Sequence, residues 1–317
     1  ICMNHCAYEK EFLKAGIKVK IINSSRAFFA IFFLRKIILK ITANNDQNYL
    51  ISNINYTNLL CSIFIKKKKN LKFIAIERTP FKELEIYFSF IDRIKKTLMR
   101  LLIRYFYKKF DLIICNSKYL GQYLKKKYAI SSKTLFPPSI SIIKNINKKN
   151  IKKNFKNSKV KIITVCRLSK EKNIYEIIKA ISEIKKRISF YIIGIGSEKK
   201  EIIKFIKSQN LESKVKLIGY KKNPYHYIKK SNIVLLSSKY EGLPNILLEA
   251  QFLKKYIIST NCPTGPKEIL LDGKLGELFK VGDYKKLFEL INAFYKNKKK
   301  LINKSAKAKY YLKRFDL

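Results

Sequence analysis

The chain has 317 residues, enough for two domains that each bury a full core. A hydrophobic content of 47% and a mean hydropathy of -0.16 exclude a disordered chain, and no apolar run reaches the roughly 18–20 residues that span a bilayer. Sixty-nine basic residues against twenty-two acidic give +47, which predicts attraction to polyanions, whether nucleic acid or an anionic membrane surface. The cations are spread along the chain rather than gathered in one stripe, and a Lys/Ile/Asn bias of this kind also arises from AT-rich coding.

The opening ICMNHCAYEK lacks the basic region and apolar core of a secretory signal. Six scattered cysteines read as free thiols in a reducing compartment rather than as a disulfide framework. Cys2, His5 and Cys6 are close together, but no second Cys/His pair completes a tetrahedral shell, so no metal is expected. AYEKEFLKAG predicts a helix ended by Gly16, followed by a strand over IKVKIIN. The apolar run AFFAIFFL is broken by Arg35 and Lys36; FFLRKIILKI reads as helix and NYLISN as a short strand. A helix over Tyr56 to Ile65, the strand LKFIAIE, a basic helix from about Ile91 to Phe110, the strand DLIICNS and a helix over Lys118 to Lys127 follow.

The basic helix interleaves Arg93, Lys95, Lys96, Arg100, Arg104, Lys108 and Lys109 with Leu98, Leu101, Leu102, Ile103, Tyr105 and Phe106. Two readings stay open for it. One is a helix lying on an anionic bilayer; the other is a core helix with a Lys-rich outer face.

From Ile140 to Ser158 the chain turns polar and Lys/Asn-rich, the expected linker, which separates residues 1–150 from residues 151–317. A second α/β series then runs VKIITV, helix Asn173–Lys186, ISFYIIG, helix Glu198–Ser208, VKLIGY and helix Pro224–Lys230. NIVLLSS, helix Asn245–Lys254, YIIST, a Pro/Gly loop, GELF and helix Asp283–Tyr295 complete it. Strands separated by helices in both halves predict two doubly wound parallel sheets with a cleft between domains.

The chemistry gathers in loops that follow strands, hence on one sheet edge. After VKIITV, the loop CRLSKEKN carries Arg167 and Lys172 just before a helix start, where two cations and free amides suit a diphosphate. Taken singly, they also read as ordinary surface cations. Gly194 and Gly196 in YIIGIGSE open the next helix. After NIVLLSS comes EGLPNILLE, in which Gly242 and Pro244 allow close approach to a ligand between Glu241 and Glu249. An acid near a helix start also simply complements the helix dipole. STNCPTGPKEIL adds Pro263, Gly265, Pro266 and Glu268 in a tight turn.

On these residues, from about Val160 to Tyr295, the chain resembles the nucleotide-binding domain of group 1 glycosyltransferases, retaining enzymes with the two-Rossmann GT-B fold. The loop NCPTGPKEIL with its following DG, and GELFKVGD, belong to the same likeness. The first half is similar more loosely, through IERTPF and DLIICNSKYLGQYL. The resemblance implies transfer of a sugar from a nucleotide-diphospho-sugar to an acceptor hydroxyl with retention, without a metal or other cofactor. It implies that Arg167 and Lys172 bind the diphosphate, Glu241 the donor sugar and Glu249 the ribose, with Gly194, Gly196 and the stretch Gly242, Leu243, Pro244, Asn245 and Ile246 around the nucleotide-sugar. The NCPTGP loop points to a UDP-hexose or UDP-N-acetylhexosamine. The implied acceptor is a glycan or lipid-linked glycan of a surface polysaccharide, built in the cytoplasm at the inner face of the membrane.

Three departures from the family pattern stand out. The chain starts after the expected first strand and Gly-rich loop, carries Arg78 on the acceptor side where many members have His, and stops at KRFDL before the usual closing helix. Two rivals follow from the residues: a same-fold nucleotide-sugar epimerase or hydrolase, and a basic nucleic-acid-binding protein. The latter lacks any helix-turn-helix, zinc-finger or ribonucleoprotein signature, so no nucleic acid is expected.

Overall fold

The structure, a computed structural model, describes residues 9–22, 24, 27–44, 46–87, 89–136 and 160–315. Cys2, His5 and Cys6 and the predicted linker at 140–158 lie outside them. The chain divides into two compact units, one of Ile1–Asn116 with Gly121–Thr134, the other of Ser117–Leu120 with Leu135–Leu317.

The first unit contains α1 (Glu9–Lys14), α2 (Ala27–Ile41), β1 (Asn48–Asn53), α3 (Asn55–Phe64), β2 (Leu71–Glu77), α4 (Phe90–Phe106), β3 (Leu112–Cys115), all but the first three residues of α5 (Lys118–Tyr128) and the two-residue β4 (Lys133–Thr134). Its sheet is parallel throughout, in the order β1-β2-β3-β4. LKFIAIE buries alternate residues, so Phe73 and Ala75 are buried, as are Leu59, Ile103 and Leu124 of the same unit.

Four local expectations change here. Among its described residues IKVKIIN holds only a single bridge residue, Ile21, and no strand: Gly16 ends α1 at φ 73°, and Ile17 and Ile21 are exposed. The apolar AFFAIFFL belongs to α2, whose Phe28 and Phe32 stack edge-on or tilted against Phe64 of α3. The basic helix ends at Phe106 and tightens into a 3-10 turn over Tyr107–Lys109. β4, with only two residues, is too short to leave a pattern in the sequence.

The second unit contains β5 (Val160–Val165), α6 (Ile174–Ser182), β6 (Ile188–Ile193), α7 (Lys199–Ser208), β7 (Val215–Gly219), α8 (Tyr225–Lys230) and β8 (Ile233–Leu236). It continues with α9 (Asn245–Phe252), β9 (Tyr256–Thr260), α10 (Gly265–Ile269), β10 (Glu277–Phe279) and α11 (Tyr284–Ala308). All pairs are parallel, in the order β10-β9-β8-β5-β6-β7. The strands read as unbroken apolar runs because both faces are covered. Ile162, Phe190, Ile192 and Leu235 face α6 and α11, while Ile163, Tyr191, Ile193 and Leu236 face α9 and the terminal 3-10 turn with Leu312 and Phe315. α6 stops four residues earlier than expected, and α11 runs thirteen residues beyond Tyr295 through a kink at Asn297.

One buried group in the first unit has a large pH consequence. Glu77, at the end of β2, is fully buried, and its Oε1 accepts from the Tyr107 hydroxyl at 2.5 Å and from Asn58 Nδ2 at 2.6 Å. Burial outweighs both bonds and pushes its carboxyl up to about 8. The folded state therefore holds a proton that the unfolded chain releases near 4.5, and stability contributed by this group falls as pH rises from about 4.5 to about 8. Glu77→Gln, which keeps a neutral group of the same shape, is expected to remove a slope of up to about 1.4 kcal/mol per pH unit in urea-unfolding free energies.

Candidate active site

In the six-stranded sheet the chain steps outward from β5 through β6 to β7, then returns to place β8 on the other side of β5. At such a reversal the loops leaving the two adjacent strands diverge and open a crevice at their carboxyl ends. The loop after β5 holds Arg167 and Lys172; the loop after β8 holds Glu241. Lys172 Nζ and Glu241 Oε1 meet at 2.6 Å across this point, with side chains only 18% and 12% exposed. Ser238 donates its hydroxyl to the same Oε1 at 2.6 Å.

Two further bonds lace the loops together. Lys239 N donates to the Glu171 carbonyl at 2.8 Å, and the Ser237 hydroxyl to the Lys172 carbonyl at 2.7 Å. Arg167 is handled differently. Its guanidinium is 74% exposed and pairs with Glu171 Oε1 at 3.1 Å, an oxygen that also accepts from the Ser169 hydroxyl at 2.5 Å. Burial of Glu171 would raise its carboxyl, but these donors and the Arg167 charge more than offset it and hold it low. Asn173 turns the chain into α6 at φ 48°, a left-handed conformation that asparagine tolerates.

Gly194 and Gly196 act through the side chains they lack. A Cβ on Gly194 would stand 1.8 Å from the Cys166 carbonyl oxygen, and one on Gly196 2.1 Å from that of Leu168. Their absence lets the β6 loop lie directly on the Arg167 loop, with Leu168 N donating to Ile195 O at 2.9 Å and Glu198 N to Leu168 O at 3.0 Å. Gly265 does the same for the glutamate loop, where a Cβ would meet the Gly242 oxygen at 2.2 Å. Its amide donates to that oxygen at 2.8 Å. Thr264, held at φ 77°, donates its hydroxyl to the carbonyl oxygens of Glu241 and, at 3.1 Å, of Gly242. A β-branched residue in this region is strained, so the loop over-determines it.

Pro244 precedes α9 without any side-chain cap, and its carbonyl accepts from Leu247 N at 3.0 Å. Gly242, Leu243, Pro244 and Ile246 are buried, and Asn245 is exposed. Glu249 lies one turn further along, half-buried, its Oε1 3.5 Å from the Tyr225 hydroxyl on α8. Burial pushes its carboxyl up to about 7, partly opposed by that hydroxyl. Arg78 belongs to the first unit, exposed just beyond β2, with its carbonyl accepting from Asn116 Nδ2 at 3.3 Å. Among the described residues no group of three His, Cys, Asp or Glu could hold a metal. Sequence reasoning passed over Glu171, Ser237, Ser238, Thr264 and Tyr225. Only Thr264 left a signal, as the residue before the Gly-Pro pair.

Residues 145–314 match the family described as Glycosyl transferases group 1. A Campylobacter jejuni N-acetylgalactosaminyltransferase, which acts on a diphospho-undecaprenol-linked sugar, is 30% identical over 83% of this chain and 70% of its own length. The chain belongs to the group 1 glycosyl transferases. Another relative, the glycosyltransferase MJ1059 of Methanocaldococcus jannaschii, is also 30% identical, over 73% of this chain. The chain spans 57% of the length of MJ1059. Among solved structures, Anabaena Alr3699/HepE in complex with UDP and glucose superposes with a TM-score of 0.74 at 17% identity, covering 99% of this chain and 86% of that one. The fold is therefore the GT-B glycosyltransferase fold.

In this member of the family the site's shape depends on backbone packing at its glycines. Gly196→Ala, at a position where φ is ordinary and only space is lacking, is expected to destabilise the protein by about 1–3 kcal/mol. A lowered melting temperature in a calorimetric scan checks this, and a melting curve equal to the parent's would contradict the close approach.

Proposed function

We propose that this chain transfers a hexose or N-acetylhexosamine from a UDP-sugar to a glycan or lipid-linked glycan acceptor, with retention at the anomeric carbon. The observation that carries this reading is the Lys172–Glu241 pair at the sheet's reversal point, beside an uncapped helix start. Supporting it, HepE and Staphylococcus aureus TarM, of the same fold, hold UDP in their crystals, and the Campylobacter relative is named for a lipid-diphosphate-linked substrate.

In this reading Arg167 and Lys172 stabilise charge on the departing diphosphate as the bond between C1 and the phosphate oxygen breaks. The acceptor oxygen bonds to C1 on the same face, and its proton passes to the departing phosphate, so no protein base is required. Arg78 on the acceptor side is compatible with this chemistry. Glu241, held by Lys172 and Ser238, faces the sugar; Glu249 accepts from the ribose hydroxyls; no metal is used.

The decisive experiment is a thermal-shift panel of UDP-, GDP- and ADP-sugars, since a ligand at one hundred times its dissociation constant adds about 2.7 kcal/mol of stability. Stabilisation by UDP-sugars alone is expected, with sugar appearing on an acceptor rather than only on water or as an epimer. Ribose hydroxyls donating to Glu249 favour its ionised form, so UDP affinity should rise as pH passes upward through about 7. Calorimetry on Glu249→Gln is expected to show weaker UDP binding and loss of that pH dependence.

Arg167→Ala and Lys172→Ala should each lower turnover more than they raise KM, because a contact that strengthens in the transition state appears in kcat. A loss of about 10²–10³ is expected where the charge is shielded from water, as at Lys172, and less at the exposed Arg167. UDP-release kinetics measure both, and near-parental turnover in the two variants would remove the diphosphate clamp.

A further inference from the structure

The Glu249 carboxyl is steadied from a different part of the sheet. Among the described residues the Tyr225 hydroxyl, 3.5 Å from Oε1, is its one side-chain donor, and Glu249 is the one acceptor of that hydroxyl. Around it on α9, Ile246, Leu247, Leu248 and Ala250 are buried and apolar, and their side chains offer no donor to an anion. The last torsion of a glutamate is broad and selects no orientation by itself. The tether to Tyr225 therefore decides which way the two oxygens face.

Strand order brings the tyrosine there. β7 is the outer strand of its sheet, and α8 carries the chain from it back past β6 and β5 to β8, from which α9 follows. Tyr225 is the first residue of α8, its amide donating to Asn223 Oδ1 at 3.2 Å. Its ring packs against the apolar cluster that includes Ile228, Ile246 and Leu248, so packing fixes the ring and leaves the hydroxyl to reach the acid.

The contact is a poor device for stability. Burial raises the Glu249 carboxyl to about 7 against this single long bond, and an apolar side chain at the same place would avoid that desolvation. It is a good device for orientation. The Tyr225 phenol is pushed up to about 12, by burial and then by the acid's charge, so it keeps its proton when Glu249 ionises. The bond then always runs from Tyr225 to Glu249, taking one lone pair of Oε1 and leaving Oε2 whole. A carboxylate anchored on one oxygen in this way suits two adjacent hydroxyl donors, the arrangement of a ribose cis-diol.

We propose that Tyr225 is a positioning residue whose hydroxyl turns the Glu249 carboxylate to accept both hydroxyls of a ribose, so that the site selects ribonucleotides over 2′-deoxyribonucleotides. This rests on the reading in which Glu249 meets the ribose, and adds to it the residue that aims the acid and the sugar feature that it discriminates.

Calorimetry on the full chain with UDP and 2′-deoxy-UDP tests the assignment. The parent is expected to bind UDP about tenfold or more tightly than the deoxy form, because a hydrogen bond to a charged group goes with the 2′ hydroxyl. Tyr225→Phe keeps the ring and its packing. It should lower that ratio by about threefold or more while the melting temperature stays near parental, which a merely structural tyrosine would not do. Glu249→Gln should lower the ratio as well, and adding Tyr225→Phe to it should change the ratio no further, because the two side chains act as a unit. A Tyr225→Phe protein with the parental ratio, beside a Glu249→Gln protein that loses it, would overturn the proposal and leave the donor reading standing. So would a Tyr225→Phe effect of equal size in the Glu249→Gln background, since the tyrosine would then act elsewhere. A parent that binds both nucleotides alike would remove the ribose role of Glu249 and the positioning role together. A parent that binds neither would remove the donor reading itself, and the positioning role with it.

Discussion

The strand reversal beside β5 is the constraint on which the candidate site depends. Because β6 and β8 flank β5 on opposite sides, the loops after β5 and β8 leave neighbouring strands and diverge, and the space between them is where two side chains of opposite charge can meet. A lysine and a glutamate 69 positions apart in the chain become a 2.6 Å pair without either loop folding back on itself. The pair is mostly shielded from water, so its attraction is stronger than that of an exposed pair, and each partner restricts where the other can point. The lacing through Ser237, Ser238 and Lys239 acts on the same two loops and limits their independent motion.

Missing side chains matter as much as the charged ones. Gly194, Gly196 and Gly265 stand where any Cβ would overlap a carbonyl oxygen of the adjoining loop, so successive loops pack backbone to backbone along the sheet edge. That packing replaces mobile side chains with fixed amides and carbonyls, the form of preorganisation that stabilises charge at little reorganisation cost. Thr264 extends the same logic with a strained φ held by two hydrogen bonds to the glutamate loop. The glycines anticipated as a nucleotide signal thus have a structural duty that comes before any contact with a ligand.

The two units place their unusual acids differently. Glu249 sits in the second turn of α9, where burial is partial and its carboxyl is raised to about 7. Glu77 sits under the edge of the first sheet, closed in by Tyr107 and Asn58, and is raised to about 8. Both shifts have desolvation as the leading cause, yet only the first group lies where a ligand's hydroxyls could compensate it. In the proposed reading the first acts on binding; the second acts on stability.

Much of this was legible in the residues. Runs such as VKIITV and ISFYIIG predicted strands of a doubly wound parallel sheet, and the glutamate, glycine and threonine–glycine–proline loops each followed such a strand, which put them on one edge. IKVKIIN read as a strand by the same pattern but holds only a single bridge residue, Ile21, among its described residues, because pattern sets what a segment could bury while pairing over several residues makes a strand. Helix limits drifted as well: α11 continues past a kink at Asn297 through the exposed residues 296–300 and regains buried positions at Ser305 and Ala308, a return that the Lys/Asn-rich composition does not announce. What the sequence alone determined was the family, the parallel α/β class and the residue types at the sheet edge, all carried by local pattern and short motifs. Tertiary structure decided which of those residues touch, that Arg167 stays exposed while Lys172 is drawn to Glu241, and that Ile91, Ile94, Leu98 and Leu101 of α4 face outward. Those outcomes depend on strand order and on which helix face meets the sheet, both long-range properties that no local window of sequence contains.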